Sequence, residues 1–103
     1  MSLSNLEKKR YRQIGHSLKP VVIVGQSGLS ENVINEANSF LDNHELIKVK
    51  FLAEDRDERK KLMHELSFIT QAEVVQIIGK IALYFKLAKN PNERLSKIRG
   101  AES

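Results

Sequence analysis

The chain has 103 residues, 41% of them hydrophobic and 29% charged, a size and balance that fit one domain burying roughly 65% of its unfolded surface. It is too apolar for intrinsic disorder and has no apolar run of bilayer length, so a soluble globular protein with no membrane partner is expected. The absence of Cys excludes disulfides, thiolate nucleophiles and cysteine-built metal sites, and a net charge of +4 leaves the class of partner open.

Residues 1–3 read as a short N-terminal tail, native or a cloning remnant, without the basic and apolar blocks of a signal peptide; a cytoplasmic location is expected. Ser4-Asn-Leu-Glu7 has the capping-box pattern and predicts a first helix from there to about Leu18, stopped by Pro20. Its apolar stripe is sparse: Leu6, Tyr11, Ile14 and Leu18. Val21-Val-Ile-Val24 predicts a short strand, apolar on both faces and so expected to be central in its sheet. Gly25-Gln-Ser-Gly28 breaks it.

Ser30 is the expected N-cap of a second helix over 31–43, with Val33, Ile34, Ala37, Phe40 and Leu41 on one face. From Glu45 to Leu52 the alternation of Ile47, Val49 and Phe51 with Lys48 and Lys50 predicts a half-buried strand with a basic outer face. Asp55 and Glu58 are placed to cap a third helix carrying Leu62, Met63, Leu66 and Ile69. Two further strands, Glu73–Ile78 and Ile81–Leu87, are expected to form a hairpin around Gly79-Lys80. Residues 90–103 read as a polar, partly flexible tail in which Leu95 and Ile98 are candidates for docking. The predicted architecture is a single compact α/β domain over 4–89, in the order α-β-α-β-α-β-β around a four-stranded mixed sheet.

Charge is segregated along this order. Residues 1–30 carry five basic and one acidic residue, 31–58 three and eight, and 59–103 nine and four. Two basic segments flanking an acidic one can fold into a positive face suited to nucleic acid, or can simply be solvated helices.

Catalytic and metal motifs fail on spacing. Ser27 lacks the glycine two residues on that a nucleophile elbow needs, since position 29 is Leu. His16, His44 and His64 fall on three different predicted elements and form no metal-binding pair; His44 suits helix-end packing better. Glu54 to Glu58 lacks the glycine and terminal Glu of a calcium loop. No enzyme, cofactor or metal is therefore expected.

What remains is Gly25-Gln26-Ser27-Gly28, between a strand and a helix N-terminus. Glycines there allow positive φ and close approach of a ligand, and amides at a helix start favour an anion. A Gly-x-x-Gly loop clamping a nucleic-acid backbone is the device of KH modules, although alone the loop reads more readily as a plain strand-to-helix turn.

Its surroundings add to it. Lys9-Arg10 with Arg12, His16-Ser-Leu-Lys-Pro20, Val24-Gly-Gln-Ser-Gly-Leu29, His44-Glu-Leu-Ile-Lys-Val49, and Val75-Gln-Ile-Ile-Gly-Lys80 with Leu83-Tyr84 together resemble the CRM domain family (chloroplast RNA splicing and ribosome maturation), in particular its stand-alone bacterial YhbY-like members. The resemblance spans about four-fifths of the chain, in order. It implies an RNA-binding module with a fold similar to the C-terminal domain of translation initiation factor three. It also implies association with precursors of the large ribosomal subunit; plant relatives assist group II intron splicing. Many family members carry Lys after the first glycine, where this chain has Gln26, so docking would lean on main-chain amides and neighbouring cations.

The expected RNA-binding residues are thus Gly25, Gln26, Ser27 and Gly28 in the loop, Lys8, Lys9, Arg10, Arg12 and Lys19 on and after the first helix, and Lys48 and Lys50 as an extension. A monomer is expected. With six Phe and Tyr and no Trp, and only Tyr11 and Tyr84 expected to be partly exposed, backbone and shape contacts are favoured over base stacking. The rival reading is a ribosome-associated protein-interaction adaptor or dimerisation module using the acidic middle segment; a small hydrolase is a distant third.

Overall fold

In a computed structural model describing residues 3–88, the elements are α1 (Asn5–Gly15), β1 (Pro20–Val24), α2 (Glu31–His44), β2 (Leu46–Phe51), α3 (Arg56–Thr70), β3 (Glu73–Ile78) and β4 (Ile81–Phe85). Their order and the four-stranded mixed sheet are those predicted. The strands lie in the order β1-β2-β4-β3, with β1 parallel to β2 and the other neighbours antiparallel. The expected tail at 90–103, with Leu95 and Ile98, lies outside the described residues, as do positions 1 and 2. Leu3, at the edge of the expected N-terminal tail, packs beside α1, and its N–H donates to both carboxylate oxygens of Glu73 at 3.0 and 3.1 Å.

Local chemistry sets the helix starts. At α1 both capping-box bonds form: the Glu7 N–H donates to the Ser4 hydroxyl at 3.1 Å, and the Ser4 N–H donates to the Glu7 carboxylate at 2.9 Å. Ser30 accepts from the Val33 N–H at 3.2 Å, and Asp55 accepts from the Glu58 N–H at 2.8 Å. Helix α1 ends three residues before the predicted Leu18, because tighter turn bonds, Ser17 N–H to the Ile14 carbonyl and Leu18 N–H to the Gly15 carbonyl, replace the helical pattern.

Both faces of the sheet carry core. On one, α2 and α3 cover Val22, Val24, Ile47, Val49, Phe51, Ala82 and Tyr84 with Ala37, Leu41, Met63 and Leu66. On the other, α1 lays Tyr11 against Leu46, Val75 and Leu83, with its ring stacked on Phe85 at 4.5 Å. Gly15 lets the helix come this close: a Cβ there would stand 2.7 Å from a Leu83 methyl. Helix α2 runs on to His44, one residue beyond the predicted end, and its ring stacks on Phe40 as the packing role required. Glu45 then turns the chain at φ 63°, fully buried; its carboxylate accepts from the Ala88 N–H at 2.6 Å and its carbonyl from the Lys86 N–H at 2.9 Å.

Four expectations need correction. Strand β1 is an edge strand, not a central one: Val22 and Val24 are buried, but Val21 and Ile23 are 41% and 57% exposed because α1 does not extend over them. Tyr11 and Tyr84 are buried rather than partly exposed, and the Tyr84 hydroxyl donates to the Met63 carbonyl at 2.7 Å. Burial pushes the Tyr84 phenol above its ordinary pKa and keeps it neutral. Leu6 and Ile69 point to solvent instead of joining their helical stripes, whereas Thr70 is buried and donates back to the Leu66 carbonyl at 2.7 Å. Finally, β4 stops at Phe85 rather than Leu87, where the chain turns to meet Glu45.

Candidate nucleic-acid interface

The two parallel strands β1 and β2 end together, and the Leu52 N–H extends their pairing by donating to the Val24 carbonyl at 2.9 Å. The Gly25–Gly28 segment leaves from that point. The Gly28 N–H closes a four-residue turn onto the Gly25 carbonyl at 3.0 Å, which lifts Gln26 and Ser27 to its exposed tip. The β3–β4 hairpin turns at the same pole of the sheet, and its Lys80 carbonyl accepts from the Phe51 N–H at 2.7 Å. Gly79 supplies the positive φ of that turn at its first central position.

The two loop glycines do different work. Gly28 has φ +88°, which an L side chain rarely adopts, so the fold itself demands glycine there. Gly25 has no positive φ, and a Cβ there would meet nothing within 4 Å. The space over Gly25 is therefore open, and the fold itself does not require glycine there. We expect Gly28→Ala to destabilise the domain by about 1–2 kcal/mol and Gly25→Ala to leave urea unfolding unchanged while lowering RNA affinity. A Gly25→Ala protein that binds as the wild type does would show that no ligand approaches this backbone.

Helix α2 adds less to anion binding than its position suggests. Ser30 already holds the Val33 N–H, and Glu31 places a carboxylate in the first turn, where it offsets the positive end of the helix dipole. The exposed tip of the loop and the neighbouring lysines are the less compensated features of this pole.

Those lysines divide into two groups. Lys48 and Lys50 project from β2 on the face that α1 covers only in part, with Lys50 exposed and Lys48 half-buried. Lys50 pairs with Ile23, two residues before Gly25, so its side chain stands beside the loop. Lys19, exposed just before β1, shares with Lys48 a groove between the end of α1 and the first two strands, lined also by Ile14, Leu18, Val21 and His44. Lys8 belongs to the opposite pole: its ammonium lies 3.5 Å from Glu73, which pairs with Phe85 at the far end of the sheet. Lys9 and Arg10 are exposed on the outward side of α1, and Arg12 is half-buried one turn before His16.

The structure thus brings Gln26, Ser27, Lys50, Lys48 and Lys19 along one continuous surface. It sets Lys8, Lys9 and Arg10 at a distance of roughly the sheet's length, about 15–20 Å, from the loop. The basic helix is not beside the loop as expected, because α1 crosses the sheet with its first turn at the Glu73 end. Two contributors were passed over in the sequence. Lys80, read only as a turn residue, brings a further cation to the loop pole, where it pairs with Glu54 at 3.5 Å. His16 reaches a groove with Lys48, and its i, i+4 spacing from Arg12 was the available signal.

The strands themselves carry charge of nearly one sign, while at the loop pole Lys80 is paired with Glu54. Among the four strands the only carboxylate is Glu73, and it is engaged by Lys8 and the Leu3 N–H. Among the described residues no group of three His, Cys, Asp or Glu is placed to hold a metal ion.

Comparison with known proteins gives a consistent family. The CRS1 / YhbY (CRM) domain pattern matches residues 3–86. A probable RNA-binding protein of Pseudomonas aeruginosa is 45% identical over 98 residues, covering 95% of this chain and 94% of its own length. An RNA-binding protein of Haemophilus influenzae is 33% identical over 96 residues, with 93% and 97% covered. The solution structure of a Staphylococcus aureus protein described as a candidate RNA-binding protein superposes with a TM-score of 0.77 at 34% identity, over 89% of this chain and 96% of that one.

Proposed function

The chain belongs to the CRM domain family, and from that premise we propose that it is a non-catalytic protein that binds structured ribosomal RNA, acting as a monomer during assembly of the large ribosomal subunit in the cytoplasm. The observation that carries this reading is the exposed Gln26-Ser27 turn standing at the end of a strand face whose only free-standing charges are lysines. A phosphate backbone seated on the turn would meet main-chain amides and the Gln26 amide, with Lys50, Lys48 and Lys19 spaced along its path. Nothing in such an arrangement breaks or makes a bond: it holds RNA in one shape while other components join it. Lys8 then serves chiefly to anchor α1 through Glu73, and Lys9 and Arg10 contribute through the long-range field.

The test is binding to fragments of precursor large-subunit ribosomal RNA across a salt series, comparing the wild type with Gln26→Asp/Ser27→Asp. With about four phosphates neutralised, log affinity is expected to fall with log salt at a slope near −3. The double variant, whose changes are confined to an exposed turn, is expected to stay folded and lose at least about tenfold in affinity at moderate salt. Binding that is flat in salt would favour the adaptor reading, and equal binding by both proteins would remove the loop from the mechanism.

A further inference from the structure

Ile23 pairs with Lys50, Lys50 with Ile81, and Ile81 with Ile78. Residues opposite each other in register share a face, so these four side chains form one row across all four strands, about 14 Å long. The row lies on the α1 side of the sheet, next to the glycine loop and beyond the end of α1. Ile23 and Ile78, at its two ends, are 57% and 58% exposed. In the next row Lys48 pairs with Leu83 and Leu83 with Gln76, and between the rows runs a groove of about 210 Å³ lined by His16, Lys48, Gln76, Ile78, Ile81 and Leu83.

Resting on the RNA-binding reading, we propose that this row is a floor for unpaired bases: the segment taken by the protein is single-stranded, its backbone held at the loop and its bases laid on Ile23, Ile81 and Ile78. A surface that touched only phosphates would gain nothing from exposed isoleucines, and a duplex keeps its base faces stacked inside. Unpaired bases have apolar faces that lose water on an aliphatic floor and phosphates that reach the ammonium groups of Lys50 and Lys48. Gln76, half-buried in the groove, has both a donor and an acceptor to offer a base edge. The floor is aliphatic where other single-strand binders use aromatic rings, which suits a chain whose two tyrosines are buried.

Charge decides against other occupants. A second copy seated on the same face by two-fold symmetry would bring Lys48 and Lys50 against themselves. Residues 89–103 of this chain carry four basic and two acidic residues and would be repelled in the same way. Addition of a strand to β1 is hindered by Pro20, which has no N–H, and by the irregular register between Pro20 and Val22.

The experiment measures affinity by fluorescence anisotropy for single-stranded oligouridylate and oligoadenylate of about a dozen nucleotides, and for an RNA duplex of equal length. The proteins are the wild type, Ile23→Thr/Ile78→Thr and Ile23→Phe, the first pair keeping β-branched residues in the strands. The wild type is expected to prefer the better-bound single strand over the duplex. The Thr pair should lose about fivefold to tenfold on that single strand with an unchanged salt slope and unchanged duplex binding. Ile23→Phe should bind the single strand more tightly by supplying a ring. A Thr pair that binds single strands as the wild type does, or loses equally on duplex, overturns the base floor while RNA binding stands. A wild type that binds none of these RNAs nor the ribosomal fragments overturns the RNA-binding reading and this proposal with it.

Discussion

Replacing Lys48 and Lys50 together by Glu is expected to weaken RNA binding by about a hundredfold, with urea unfolding little changed. Each reversal removes one attraction and adds one repulsion, and four such terms at roughly 0.7 kcal/mol each sum to nearly 3 kcal/mol. Among the described residues the strand face offers Lys48 and Lys50 no counter-charge, because Glu73 sits at the other pole and is already engaged. Lys50 is exposed on its strand, so its replacement costs little packing. The informative comparison is Lys9→Glu/Arg10→Glu on the outward side of α1, which changes net charge by the same amount. That pair is expected to cost only severalfold, through the long-range field alone. Equal losses in the two variants would show that total charge, and not this strand face, governs binding.

Phe51→Ala is expected to remove about 3–5 kcal/mol of stability, measured by urea denaturation. That is a large part of the roughly 5–15 kcal/mol available to a domain of this kind. Phe51 is fully buried among the residues that join α2 and α3 to the sheet. It also pairs with Val24, the last residue before the glycine turn, and its N–H is bonded to the Lys80 carbonyl. The cavity left by the ring therefore opens directly beneath the loop pole. In the fraction still folded, RNA affinity should fall with stability; full affinity in a strongly destabilised protein would show that the loop is held independently of the core beneath it.

Most of the scaffold was legible because its signals are local. Ser4 with Glu7, Ser30, and Asp55 with Glu58 mark helix starts through bonds spanning three residues, and all three are made. Alternation in β2 correctly put Lys48 and Lys50 opposite Val49 and Phe51. Strand order is a long-range property, and there the reading of β1 failed. Four consecutive apolar residues indicate two apolar faces, but composition cannot distinguish a face covered by a helix from one left open. Glu45 was equally opaque: a buried charged residue at positive φ at the α2–β2 junction has no local sequence signature, and its carboxylate finds its partner 43 residues away. For the candidate site, the loop and the β2 lysines were legible from motif and period. The separation of Lys8, Lys9 and Arg10 from the loop was not, since it depends on the angle at which α1 crosses the sheet, set by Gly15 against Leu83 and Tyr11 against Phe85.

Both ends of the described chain are fastened at one pole: Leu3 to Glu73 and Ala88 to Glu45, the latter through a buried carboxylate. The glycine turn occupies the other. Between Leu3 and Ala88 the described chain thus enters and leaves the domain on the side away from the turn. A domain held at those two points would present its turn outward. Insertion at Gln26-Ser27, by contrast, would leave the sheet intact and cover the turn itself.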